Sequence, residues 1–302
     1  MNIAPAHTAR TTVAIALVGL GLVAGCHRPA APTAEQYREG LVYMFPGVEG
    51  GPESMGAPAR AIRDAGCNAA IKAHDWNRPR VIGTFANLMD YDGNLRAAAD
   101  VAAEIMRYRR LHPDEPIDLV GYSGGGGMAV LVAEALPPKF RLRYVILCQA
   151  AVSPDYDLTG VLSRIDGKLV NFYSPIDVFL LGAGTAIFGT IDREHTMSAG
   201  RGGFHNPPNV SRPELADRLE QRKWSPSMVK SFHAGNHFGM LTYSWNRDYV
   251  GPLLAEPALS AEPHVAEKPP AAKKPNSAPA SDTPGQRPQA AAERETHAAS
   301  VP

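Results

Sequence analysis

Five consecutive residues, Gly121-Tyr122-Ser123-Gly124-Gly125, have the types and spacing to make a nucleophile. They fit G-x-S-x-G, in which a strand turns directly into a helix with a serine at the corner. The spacing has a steric cause: so tight a turn holds the serine at strained backbone angles. A side chain two residues before or after it would collide, so both places call for glycine. The hydroxyl is lifted above the sheet. The next backbone N–H, from Gly124, then points to where negative charge would develop during attack on a carbonyl, and the helix N-terminus adds its positive end. Two other glycine-loop readings fit less well. A phosphate loop wants G-x-x-x-x-G-K-[ST], and no lysine stands here. A dinucleotide fingerprint belongs in the first β-α unit of its domain, with an acid about 20 residues on.

The elements that would position this serine can be read from the pattern around it. "PIDLVGYS" is a strand that ends at Ser123, and "GGGMAVLVAEAL" is the helix that follows. Upstream, Leu41 to Phe45 is a strand stopped by Pro46 and Gly47, "SMGAPARAIRDAG" is helical, and "AAIKAHDW" is a second strand. "NLRAAADVAAEIMRYRRLHPD" is a helix with Ala98, Val101, Ile105 and Tyr108 near one face. Downstream, "RYVILCQAA" and "KLVNFYSP" are the fourth and fifth strands, with a helical "PDYDLTGVLSRID" between them. "SMVKSFHAG" is taken as the sixth strand and "HFGMLTYSW" as the start of a last helix. Strands alternate with helices, and several strands are continuous apolar runs, as in a parallel sheet covered on both faces. In such sheets function collects beyond the carboxyl ends of the strands.

With its strand, elbow and helix in this order, the sequence resembles the α/β-hydrolase superfamily from about Leu41 to Leu253. The fold expected is α/β: a mostly parallel sheet of about six strands with helices on both faces. The stretch before Leu41 reads as a linker, so the family's early strands are reduced. In that family the triad runs nucleophile, acid, histidine along the chain. The resemblance implies Ser123 as nucleophile and Asp177, in "NFYSPIDVF" after the fifth strand, as acid, with Asp155 and Asp157 as alternatives after the fourth. For the base it implies His237, in "SFHAGNHFGM", with His233 as the alternative. The pair His233/His237 also spells H-x-x-x-H, but Ala-Gly-Asn between them lacks the glutamate and breaks a helix, so zinc is not expected. His195 and His205 read as loop or capping groups. The oxyanion donors implied are the backbone N–H groups of Gly124 and of Val48, in the loop Pro46-Gly47-Val48-Glu49-Gly50-Gly51. Pro46 stands where the family has histidine, and Glu49 is unusual so near an oxyanion. The apolar run Val178 to Gly189 is read as either a cap over the site or a buried helix, and "GRGGFHNPP" as a mobile loop.

The chain ends carry a different message. The segment "TTVAIALVGLGLVAGC" is a short apolar run after Arg10 that ends in small residues and Cys26. "LVAGC" resembles a bacterial lipoprotein cleavage box. This implies a signal peptide over 1–25, lipidation of Cys26, a linker over 26–37, and a membrane-anchored protein of the cell envelope, on the periplasmic or outer-membrane side. From about Glu256 the chain has no Phe, Tyr or Trp and is rich in Pro, Ala and Lys. Such a tail, 256–302, cannot bury enough apolar surface to order itself, which leaves 38–255 as the folded domain. The whole chain balances 30 Lys+Arg against 30 Asp+Glu, so the basic excess of a nucleic-acid binder is missing. Cys148 reads as a buried thiol, and a disulfide to Cys67 is not established by the sequence.

The functional expectation is a serine hydrolase acting on a carboxylic ester, with lipid esters among the candidates and no metal or organic cofactor implied. Two rivals stay open: a hydrolase-like envelope protein that binds without catalysis, and an acyltransferase using the same residues.

Overall fold

The computed structural model describes residues 28–48, 50–76, 90–177, 190–192 and 197–256. Six strands form one sheet: β1 (Leu41–Phe45), β2 (Ala70–Ala73), β3 (Ile117–Tyr122), β4 (Leu142–Cys148), β5 (Ile165–Tyr173) and β6 (Leu219–Lys223). Their order is β2-β1-β3-β4-β5-β6, and every neighbouring pair is parallel. The first connection runs outward and the remaining ones run the other way, so the chain reverses direction beside β1 and β3. That is where an open α/β sheet leaves a crevice at its carboxyl edge. The α/β class and the parallel sheet of six strands with helices agree with the expectation from sequence.

Helices cover both faces because each strand alternates its side chains. Leu41, Tyr43 and Phe45 of β1 belong to one core. It includes Ala98, Val101 and Ile105 of the helix α3 (Tyr91–Leu111) and much of the helix α4 (Gly124–Ala135). Val42 and Met44 belong to the other core, with Ala59 and Ile62 of the helix α2 (Gly56–Asp64) and Trp245, Leu253 and Leu254 near the domain's end. Within the stretch read as a linker there is a short helix, α1 (Ala34–Arg38), closed at Thr33 by a capping box with Gln36. Its Tyr37 packs against Tyr108 of α3.

Three element assignments need correction. The sixth strand is not "SMVKSFHAG" but the polar Leu219–Lys223, whose residues are half-buried or exposed. It is an edge strand, so no apolar run marks it. "SMVKSFHAG" instead begins with the 3-10 turn Pro226–Ser231 and then leaves Phe232 in the left-handed region at φ 61°. Of "PDYDLTGVLSRID", only Thr159–Leu162 is helical. The last helix opens as a 3-10 turn, His237–Leu241, before Tyr243–Trp245 and a π turn over Asn246–Val250. The segment read as a mobile loop buries Phe204, whose backbone N–H and C=O both bond the Gln221 amide. Cys67 and Cys148 are both free and buried. Cys26, Glu49, the run Val178 to Gly189, His195 and the stretch after Glu256 lie outside the described residues.

Candidate active site

Ser123 ends β3 and caps α4 at φ 55°, ψ −124°, a backbone state that side chains other than glycine seldom adopt. Two backbone bonds hold it there: its N–H donates to Cys148 O at 3.0 Å, and its C=O accepts from Ala151 N at 3.0 Å. The segment just after β4 therefore arcs around the serine. The glycines allow this packing. A Cβ on Gly121 would lie 2.3 Å from Gly125 O, and one on Gly125 would lie 2.2 Å from Phe45 O and 2.4 Å from Pro46 O. Those atoms are backbone and cannot step aside. Gly126 meets Ala150 and Gly127 meets Ile191 as closely. Gly125 and Gly126 are thus the surface on which the ends of β1 and β4 rest, and Gly127 makes room for Ile191, demands that reach beyond the two positions that the motif explains.

The close approach at Gly125 sets the loop after β1 against the first turn of α4. That loop is held by Trp76, whose Nε1–H donates to Pro46 O at 2.8 Å. Val48 packs on the core beside it. The N–H groups of a helix's first turn have no partner inside the helix, so the Gly124 amide lies at a helix end that attracts negative charge.

Asp177 follows β5 in a turn in which its N–H donates to Ser174 O. Its Oδ2 lies 2.7 Å from His237 Nδ1. Both side chains are 3% exposed. Because a carboxylate only accepts, Nδ1 carries the proton and Nε2 is left in the acceptor form. Ser174 Oγ donates to Gly235 O at 2.6 Å, which ties the turn of the acid to the loop of the histidine.

His233 sits differently. Its Nδ1 accepts from Gly235 N at 3.1 Å, and its ring meets Trp245 edge-on. Burial pulls its pKa down to about 4, with Asp177 opposing and His237 reinforcing the shift. It is a neutral imidazole that organises the loop from within. The alternative acids lie elsewhere: Asp155 pairs with the exposed His205 at 2.8 Å, and Asp157 caps Thr159 N at 2.9 Å.

Sequence reasoning passed over Gln149. It directly follows β4, is 1% exposed, and its Nε2 donates to the same Asp177 oxygen at 2.9 Å. Its backbone stands at φ 47°. A polar residue closing an apolar strand was the only signal available.

No family model matches the chain, and no curated protein matches it. Among solved structures, the chain is similar to a predicted CIB-like hydrolase from Thermoplasma acidophilum. Identity is 17% and the TM-score 0.41, covering 74% of this chain and 90% of that one. It is also similar to a dienelactone hydrolase-like promiscuous phosphotriesterase from metagenomic libraries, at 14% identity and TM-score 0.43, covering 76% and 88%. A Pyrobaculum calidifontis esterase is similar at 15% and 0.41, covering 84% and 94%. Likenesses this distant say nothing about the substrate of this chain.

Proposed function

We propose that the protein is a serine hydrolase of carboxylic esters. The observation that carries the reading is the buried His237–Asp177 pair at the same sheet edge as a serine held at positive φ. In the proposed reaction His237 Nε2 takes the Ser123 proton while Oγ bonds the ester carbonyl carbon. The backbone N–H groups of Gly124 and Val48 hold the resulting oxyanion. As the C–O bond breaks, His237 returns the proton to the leaving alcohol. Water, deprotonated by His237, then attacks the acyl carbon; as the bond to Oγ breaks, His237 returns that proton to Ser123 and the acid is released. Asp177 keeps the histidine in the required tautomer and stabilises its imidazolium.

Apolar esters are favoured by the rim of the histidine loop. Ile176, Phe232 and Phe238 are 50%, 75% and 44% exposed, and Ile176 packs directly on Gly235. Large exposed apolar groups gathered near a candidate site suit an apolar ligand.

The test is labelling with a fluorophosphonate, wild type against Ser123→Ala and His237→Ala, followed by hydrolysis of p-nitrophenyl esters of increasing chain length. Labelling is expected in wild type and absent in both variants, with longer acyl chains preferred. A folded wild type that does not label would sink the reading and leave a binding protein in its place.

A further inference from the structure

Gln149 has no part in the reaction as written, yet it occupies a strained and fully enclosed position beside it. Its φ of 47° would suit glycine or asparagine better. Its backbone is boxed in: a Cβ on Gly200 would lie 2.2 Å from Gln149 C, and Gln149 N donates to Phe172 O at 2.8 Å. Gln149 lies between the two residues, Cys148 and Ala151, whose backbones hold Ser123. Its side chain reaches the other way, to Asp177 Oδ2. The facing carboxylate accepts only, so the amide nitrogen must turn toward it. That choice leaves Gln149 Oε1 buried with no hydrogen-bond partner among the described residues. The residue thus bears two local costs, a strained backbone and an unanswered acceptor, and the bond to Asp177 is what both serve.

We infer that Gln149 is a positioning residue for the acid of the site: its amide fixes the rotation of Asp177 so that Oδ2 stays in line with His237 Nδ1. The inference rests on the hydrolase reading for its catalytic meaning but not for its geometry. A carboxylate with a single partner can swing about its side-chain torsions. With a second donor from the end of the neighbouring strand, it cannot turn without breaking one bond. Among the other titratable groups, His233 on the histidine's own loop interacts with both Asp177 and His237; Tyr173 on β5 and Arg222 on β6, the latter paired with Glu220, line a small cavity with Gln149 and His233. None of them bonds Asp177 Oδ2 among the described residues.

Three full-length variants test this. Gln149→Gly removes the amide and relieves the backbone. Gln149→Asn tolerates the same backbone but is one methylene too short to reach. Gln149→Glu places a second carboxyl against Asp177. Gly and Asn variants are expected to fold with wild-type thermal midpoints or higher. Their fluorophosphonate labelling should be slower by about 10-fold, as misaligned catalytic groups are. For Gln149→Glu, labelling should fall further as pH rises, because ionisation sets two like charges together. Exchange of the His237 Nδ1 proton with water, read by NMR in the resting protein, should quicken several-fold in all three. Folded Gly and Asn variants with wild-type labelling and proton exchange would overturn the inference. Should wild type not label while the proton exchange still quickens, the positioning role stands and the hydrolase reading fails.

Discussion

At Ser123 the backbone conformation and the side-chain chemistry make opposite demands. The turn puts a non-glycine residue at φ 55°, and two backbone bonds to the segment after β4 keep it there. Glycine would carry no such penalty, whereas any Cβ costs about 1 kcal/mol at this kind of angle. Retention of a serine under that strain is what a hydroxyl aimed by its turn requires. Comparing two inactive variants isolates the term. Ser123→Ala and Ser123→Gly both lose the hydroxyl, and neither should label. The glycine variant should nevertheless melt about 2–4 °C above the alanine variant, the shift that 1 kcal/mol brings in a domain of this size. Equal melting temperatures would mean that the backbone is not strained and that the serine's angle has no cost to explain. The two histidines show the same scale of decision. Spacing alone could not separate them, since both lie in one short loop. The partner of Nδ1 separates them: for His237 it is a carboxylate, for His233 a backbone N–H.

Among the elements, the contact between α4 and the end of β1 carries the most consequence. Gly125 brings helix backbone onto the Phe45 and Pro46 carbonyls. Gly125→Ala should therefore force α4 away from the loop that holds Val48. Strain of this kind costs several kcal/mol when the atoms met are main chain, and urea unfolding should show a loss of 3 kcal/mol or more, or no soluble protein. Gly202 is the control: nothing lies within 4 Å of its would-be Cβ. Gly202→Ala should be neutral or stabilising by up to about 1 kcal/mol. Equal effects at both positions would show that the packing is looser than described. The same comparison explains what could be read from sequence. The strands β1, β3, β4 and β5 were legible because central strands covered on both faces must be apolar along most of their length; β2, at one edge, was legible from its buried Ala70 and Ile71. The elbow was legible because its glycines are forced by contact. β6 was not, because "LEQRK" lies at an edge and buries nothing fully. Gln149 was not, because its role arises from the register of β4 on β5, which brings Cys148 opposite Phe172. No local pattern encodes that pairing.

Across the whole domain, the last segment ties the two ends of the sheet together. At the site end, Tyr122 OH donates to Asn246 Oδ1 at 2.6 Å, and Asn246 holds the Met240 carbonyl at 2.8 Å. At the opposite end, Asp118 and Arg143 form a buried two-point pair, with bonds of 3.0 and 2.6 Å. Arg143 also bonds the carbonyls of Leu254 and Glu256, and Tyr144 N donates to Asp118 Oδ1. A buried pair of this kind adds little net stability, but removing one partner strands the other. Arg143→Met should cost about 3–5 kcal/mol at neutral pH. The loss should carry a particular pH dependence. Burial already pushes the Asp118 carboxyl up, with Arg143 opposing it. Without the arginine, the folded state would bind a proton that the unfolded state releases. Stability then rises as pH falls through the raised folded value. The variant should regain part of its deficit relative to wild type between pH 7.5 and pH 5 in urea titrations. Asp118→Asn combined with Arg143→Met keeps an acceptor for Tyr144 N without a charge, and should recover most of the loss at both pH values. A deficit that is the same at both pH values, and that the double variant does not repair, would mean that Arg143 acts only through its bonds to Leu254 and Glu256. In the repaired double variant, fluorophosphonate labelling should match wild type, since the pair lies at the end of the sheet away from Ser123.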